Sequence, residues 1–117
     1  MNKQAIQLIT AAVLLVVIDL PWLMVSGPYV KDMVQRIQGS PLRFSYLPAI
    51  IVYLAMGYLV LQTKTPLEAF YTGAATYAVY DFTNLATLKN YDASFAIVDT
   101  LWGGILFALV RFVLNRF

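Results

Sequence analysis

The sequence predicts an all-α integral membrane protein, a four-helix up-down bundle that forms a single domain. Of the 117 residues, 61% are apolar and only 12% are charged, against about 25% charged in ordinary soluble domains. Four apolar runs reach or exceed the roughly 20 residues that a helix needs to cross the hydrocarbon of a bilayer. These runs cover residues 4–26, 43–62, 66–88 and 93–113.

The composition also limits the chemistry that this chain can perform. It contains no cysteine and no histidine, which excludes disulfides, thiol nucleophiles and imidazole bases. Any site therefore depends on carboxylates, tyrosines, hydroxyls, amides, Lys or Arg. The net charge of +2 comes from cations near the predicted helix ends, which indicates anchoring to the lipid bilayer and no nucleic-acid partner.

The first predicted helix ends near Ser26-Gly27, and a long connection follows it. Residues 27–42 carry apolar side chains at helical spacing, with charged and amide side chains between them. This pattern is typical of a short amphipathic segment that lies in the headgroup region, and the alternative is a solvated loop. The apolar members are Tyr29, Val30, Met33, Val34 and Ile37.

Local signals mark the start of the third helix and the turn into the fourth. Thr65-Pro66-Leu67-Glu68 combines a capping hydroxyl, a proline at the first helical position and an acid in the first turn. Asn90-Tyr91-Asp92 is typical of a turn before a helix. Because both connections are short, neighbouring helices are expected to run antiparallel. The eight Lys and Arg residues divide equally between the two faces, so the positive-inside rule assigns no orientation.

Three aspartates, Asp19, Asp81 and Asp99, stand inside otherwise apolar helices. Each lies six or seven residues from the nearest predicted helix end, which places it about 9–11 Å inside one and the same face of the bilayer. An aspartate at that depth costs roughly 2.5–3.5 kcal/mol on insertion scales. Three acids at one level therefore predict a shared polar layer. Desolvation and mutual repulsion are expected to keep at least one of them protonated at neutral pH.

Polar and aromatic side chains share helix faces with these acids. A tryptophan lies three residues after the aspartate on the first and fourth helices, and an asparagine lies three residues after the aspartate on the third. On the second helix, Tyr46 and Tyr53 are spaced to face inward at a comparable depth. The predicted ligand-binding set is Asp19, Trp22, Tyr80, Asp81, Asn84, Asp99 and Trp102.

Two motifs in the last two helices resemble those of a known family. They are Asp-x-Thr-Asn over residues 81–84 and Asp-x-x-Trp-Gly over residues 99–103. This pair resembles the hallmarks of a bacterial family of short four-helix membrane proteins, catalogued as a domain of unknown function. The resemblance covers essentially the whole chain and implies a multi-pass protein of the bacterial inner membrane. It implies no activity, substrate or cofactor.

Three functions are compatible with these residues. The first is a pocket that opens toward the face of the long connection and binds an amphipathic or cationic small molecule or a lipid. The second is a membrane enzyme for acid–base chemistry on a lipid or isoprenoid, with Asp81 and Asp99 as candidate catalytic residues. The third is a non-catalytic accessory subunit, in a homo-oligomer or a larger complex, whose acids only lock helices together. The residues leave the identity of any cofactor unknown, and no metal site is predicted.

Overall fold

The computed structural model describes residues 1–117, which form four α-helices and no strands. The predicted all-α class and the predicted number of helices are confirmed. The molecule is 45 Å along its longest axis, close to the roughly 40–45 Å of a bilayer with its headgroup regions. The helices are α1, Lys3–Gln38; α2, Tyr46–Leu61; α3, Pro66–Thr87; and α4, Ala93–Leu114.

Helix α1 continues past its predicted end at Ser26, so the amphipathic segment is an extension of this helix. Two prolines, Pro21 and Pro28, lie inside this helix, although each removes one backbone hydrogen bond. The Ser26 hydroxyl donates to the carbonyl of Trp22 at 2.7 Å one turn earlier. The helix ends where Gly39 adopts the left-handed conformation, with φ 74°, and donates its N–H to Gln35.

The predicted start of α3 is confirmed, and α4 begins in a similar way. Thr65 accepts the backbone N–H of Glu68 at 3.1 Å, and the Glu68 carboxylate accepts the backbone N–H of Lys64 at 2.7 Å. Asp92 caps α4 by accepting the backbone N–H of Ser94. These bonds satisfy donors that a helix start leaves free, and they fix the short connections on either side of α3.

Glycines bring α3 and α4 into the closest contact in the bundle. A Cβ atom at Gly73 would overlap the backbone carbonyl of Gly103, and a Cβ atom at Gly103 would overlap the ring of Tyr77. Helix α1 packs against α2 and α4, whereas α1 and α3 do not pack against each other. The tight α3–α4 pair therefore leaves a gap on the diagonal between α1 and α3.

The outer surface is what a helical membrane bundle requires. Helices α1 and α4 are long and apolar enough to cross a membrane. Helix α2 is apolar but has 16 residues, or about 24 Å at the rise of an α-helix. Large apolar side chains face outward on every helix, and contiguous apolar surface of this extent needs a lipid or protein environment. Examples are Val13, Val25, Ile51, Val79 and Ile97.

At the end that carries both termini, α4 caps α2. The Arg111 guanidinium donates to the carbonyl of Thr63 at 2.9 Å and to that of Val60 at 3.4 Å. Asn115 accepts from Arg111 at 3.0 Å and donates to the carbonyl of Lys64 at 3.1 Å. A cation at the C-terminus of a helix also meets the negative end of the helix dipole. This contact fixes α2 on α4 far from the aspartates.

Candidate functional site

Asp19 is buried on α1, and both of its carboxylate oxygens have a donor. The Tyr53 hydroxyl on α2 donates to Oδ2 at 2.6 Å, and the Trp102 indole on α4 donates to Oδ1 at 2.7 Å. One side chain thus joins three helices. Because each oxygen is satisfied, Asp19 fits the role of a helix lock.

Asp99 on α4 has the reciprocal partner. The Trp22 indole on α1 donates to its Oδ1 at 3.0 Å. The rings of Trp22 and Trp102 stack between the two acids, with centroids 5.9 Å apart and planes at 25°. Each helix therefore presents an aspartate and, three residues later, a tryptophan, and the two antiparallel segments exchange hydrogen bonds.

Asp81 on α3 forms a pair with Asp99. The two carboxyl groups are close enough to interact directly. The Tyr91 hydroxyl donates to Asp81 Oδ1 at 2.8 Å, while Asp81 Oδ2 is fully buried and has no donor. Two ionised carboxylates can only accept hydrogen bonds, so a proton on one of them is the donor that such a contact needs.

Tyr91 lies in the turn between α3 and α4, outside the helices. Burial and its bond to Asp81 raise the pKa of the Tyr91 hydroxyl. The group therefore stays protonated at neutral pH and remains a donor to Asp81. Its position in a turn without helical periodicity explains why the spacing of residues in the sequence did not place it at the site.

One cavity, about 330 Å³ in volume and called the larger cavity below, lies in the gap between α1 and α3. Its polar end carries Asp81, Asn84, Asp99 and Tyr91. Its apolar wall comes from the extension of α1, which the sequence placed in the headgroup region but did not identify as part of a pocket. That wall consists of Val30, Met33, Val34 and Ile37.

A smaller cavity of about 300 Å³ lies between α1 and α4, and Phe95 borders both cavities. The Phe95 ring stacks on Tyr29, with centroids 5.8 Å apart, and on Trp22 at 6.5 Å. With Trp102 these rings form a continuous aromatic column along α1 and α4. The sequence did not identify Phe95 or Tyr29 as part of this column.

The predicted ligand-binding residues do not all line one cavity. Trp22 lines the smaller cavity, while Asp19 and Trp102 line neither of these two cavities. No group of three acids is close enough to hold a metal ion, so the acids form a chain of contacts and do not converge on one point. The residues of the set that line the larger cavity are Tyr80, Asp81, Asn84 and Asp99.

Two tyrosines that the sequence associates with the polar layer have mostly exposed side chains. The prediction that Tyr46 faces inward is wrong, because its side chain is 77% exposed and packs edge-on against Phe44. Tyr46 is the first residue of α2, where no neighbouring helix covers the face that it shares with Tyr53. Tyr80 is also mostly exposed and reaches the larger cavity only at its edge.

The comparisons with known proteins identify a family. A family model with the description "Predicted membrane protein (DUF2177)" matches residues 4–114. No curated protein and no solved structure matches the chain. The match covers nearly the whole sequence and confirms the resemblance to a membrane protein family of unknown function. The chain therefore belongs to the DUF2177 family of predicted membrane proteins.

Proposed function

We propose that this protein is a multi-pass membrane protein whose larger cavity binds an amphipathic small molecule or a lipid. The observation that carries the proposal is the environment of Asp81. Its Oδ2 is fully buried without a donor, beside a cavity of about 330 Å³ that Asp81 itself lines. A buried acceptor without a partner costs about 1–3 kcal/mol, and the polar group of a ligand would remove that cost.

All four helices cross the bilayer in this proposal, with both termini on one side. The short connections between α2, α3 and α4 support it, because they allow only antiparallel neighbours. The larger cavity then opens toward the face that holds the α3–α4 turn and the end of α1. The bacterial family that the motifs resemble suggests the inner membrane as the location.

The lining of the larger cavity suits a molecule with one polar end. Asp81, Asn84 and Asp99 offer acceptors at one end. The residues that α1 contributes are apolar except for Gln38 at its last position. Cavities of roughly 300–1,000 Å³ with a few placed polar groups are typical of ligand sites. A headgroup or a compact amphiphile would fit this volume, and a longer apolar chain would extend into the bilayer.

One observation favours a different function, that of a non-catalytic accessory subunit. Both oxygens of Asp19 are satisfied by donors from two other helices, as expected for an acid that only locks helices. Asp81 does not fit that description, because one of its oxygens lacks a donor. The two proposals therefore make different predictions about what the purified protein retains.

Native mass spectrometry of the protein, purified in a mild detergent, tests the proposal. Wild type is expected to carry an amphiphilic adduct that a Val34→Trp variant loses, because the larger ring fills the cavity and leaves the acids in place. Asp32→Asn is the matched control, since this exposed acid lies on α1 outside the cavity. No adduct on wild type, or equal adducts on all three proteins, would contradict the binding proposal and favour the accessory subunit.

A further inference from the structure

The charge balance around Asp81 and Asp99 restricts the chemistry of the ligand. The groups that face this pair are Asp19 and Trp22 from α1, Tyr77 and Asn84 from α3, and Tyr91 from the turn, with Tyr53 of α2 behind Asp19. Every donor in the hydrogen bonds to the three aspartates is a tyrosine or a tryptophan. These neutral donors add no positive charge, so the positive charge comes from a proton or from a ligand.

The closeness of the Asp81 and Asp99 carboxyl groups indicates the protonation state of the pair without a ligand. Two buried negative charges in contact repel each other, and their desolvation is costly. A single proton held between Asp81 and Asp99 removes one of the two negative charges. The pair then carries one negative charge, and both residues line the larger cavity.

We infer that a primary alkylammonium ion takes the place of the proton that Asp81 and Asp99 share. This inference rests on the proposed binding function and names the class of ligand. The ammonium group enters with its charge of +1, and the proton leaves to the aqueous phase. The net charge of the site is therefore the same before and after the exchange.

The geometry favours an ammonium group that carries N–H donors. Asp81 Oδ2 has no donor, and an ammonium group offers three, whereas a quaternary ammonium offers none. The aromatic column could attract a quaternary ion by cation–π contact, but its rings border the larger cavity only at Phe95. The apolar wall at Val30, Val34 and Ile37 would cover the alkyl chain.

Isothermal titration calorimetry with hexylamine tests this inference on the full chain in detergent. Titrations in two buffers of different ionisation enthalpy measure the protons released at binding. We expect about one proton per hexylammonium ion, with an affinity that rises about tenfold for each pH unit where the pair still holds its proton. Hexyltrimethylammonium is expected to bind at least about tenfold more weakly, because it cannot donate to Asp81. Hexanol should release no proton.

The Asp99→Asn variant separates the inference from the proposed function. Asparagine keeps an acceptor for Trp22 and can donate to Asp81, so the variant should fold while proton release falls to near zero. Asp32→Asn should behave as wild type. Binding of hexylammonium without proton release, or equal binding of its quaternary analogue, would overturn the inference and leave the binding function in place. If none of the three probes binds, both this inference and the proposed binding function are contradicted.

Discussion

Trp22 and Trp102 exchange partners across the interface between α1 and α4. Each indole donates to the aspartate that stands three residues before the other, at 3.0 and 2.7 Å, while the two rings stack. A shift of one helix by a single residue would break both hydrogen bonds at once. The exchange therefore fixes the register of α1 against α4 at the depth of the polar layer.

Loss of either indole N–H should destabilise the bundle. Trp22→Phe and Trp102→Phe each leave a carboxylate oxygen without its donor, so we expect a decrease of about 1–3 kcal/mol in the free energy of unfolding. Reversible unfolding in mixed micelles of a mild detergent and SDS measures it. The double variant should cost less than the sum of the two, because the rings contact each other. Tyr58→Phe, an exposed aromatic, is the control, and equal stability of all variants would contradict the exchange.

Asp19 should behave as a helix lock. Asp19→Asn keeps an acceptor for Trp102, and its NH₂ can donate to the Tyr53 hydroxyl oxygen, so its effect on stability should be small. Asp19→Leu leaves the Tyr53 hydroxyl and the Trp102 indole without an acceptor and should cost about 1–3 kcal/mol. Neither change should alter ligand retention in native mass spectrometry, since Asp19 does not line the larger cavity. Loss of the adduct in Asp19→Asn would place Asp19 in the binding site.

The α3–α4 contact should tolerate no side chain at Gly73. Gly73→Ala sets a methyl group against the Gly103 carbonyl and the Phe107 ring, so the helices must separate, at a cost of about 1–3 kcal/mol. Gly27→Ala is the matched control, because a Cβ atom there meets nothing within 4 Å. This control should stabilise α1 by roughly 0.5–1 kcal/mol, since alanine favours a helix over glycine. Thermal unfolding with opposite shifts for the two variants is the expected result.

Arg111 caps the C-terminal end of α2, and this cap should depend on the shape of the guanidinium group as well as on its charge. Arg111→Lys keeps the cation but cannot reach two carbonyls and Asn115 together, so a loss of about 1 kcal/mol is expected. Arg116→Lys is the control, because Arg116 is exposed and its guanidinium lies over the ring of Phe112, 4.6 Å from the centroid. Unfolding in mixed micelles compares the two, and equal effects would mean that the cap contributes nothing specific.

The sequence predicted the parts of this fold that depend on short-range physics. The cap at Thr65 and Pro66 depends on neighbouring residues, and the depth of Asp81 and Asp99 follows from helix ends with clear signals. The end of α1 was predicted at Ser26 because Gly27 and Pro28 are typical of a break. Packing kept the helix intact instead, since Met33 in its extension is buried.

The candidate site was predicted only in part, because helical spacing gives a face but not the neighbour that it meets. Asp19 and Asp99 were placed in one layer, yet the indole exchange that separates their roles depends on the register of two distant helices. Phe95 lies on the same face as Asp99, but nothing local in the sequence marks it as a residue that lines two cavities. The contact of Asp81 with Asp99 likewise depends on how closely the glycines let α3 approach α4.

The shared proton of Asp81 and Asp99 is the central claim, and infrared difference spectroscopy of the carboxyl bands tests it most directly. At neutral pH, wild type should show a protonated carboxyl band that shifts in D₂O. The band should disappear in Asp81→Asn, because the asparagine amide then donates to an ionised Asp99, and it should persist in Asp32→Asn. A wild-type spectrum without that band, or a band unchanged in Asp81→Asn, would contradict the account.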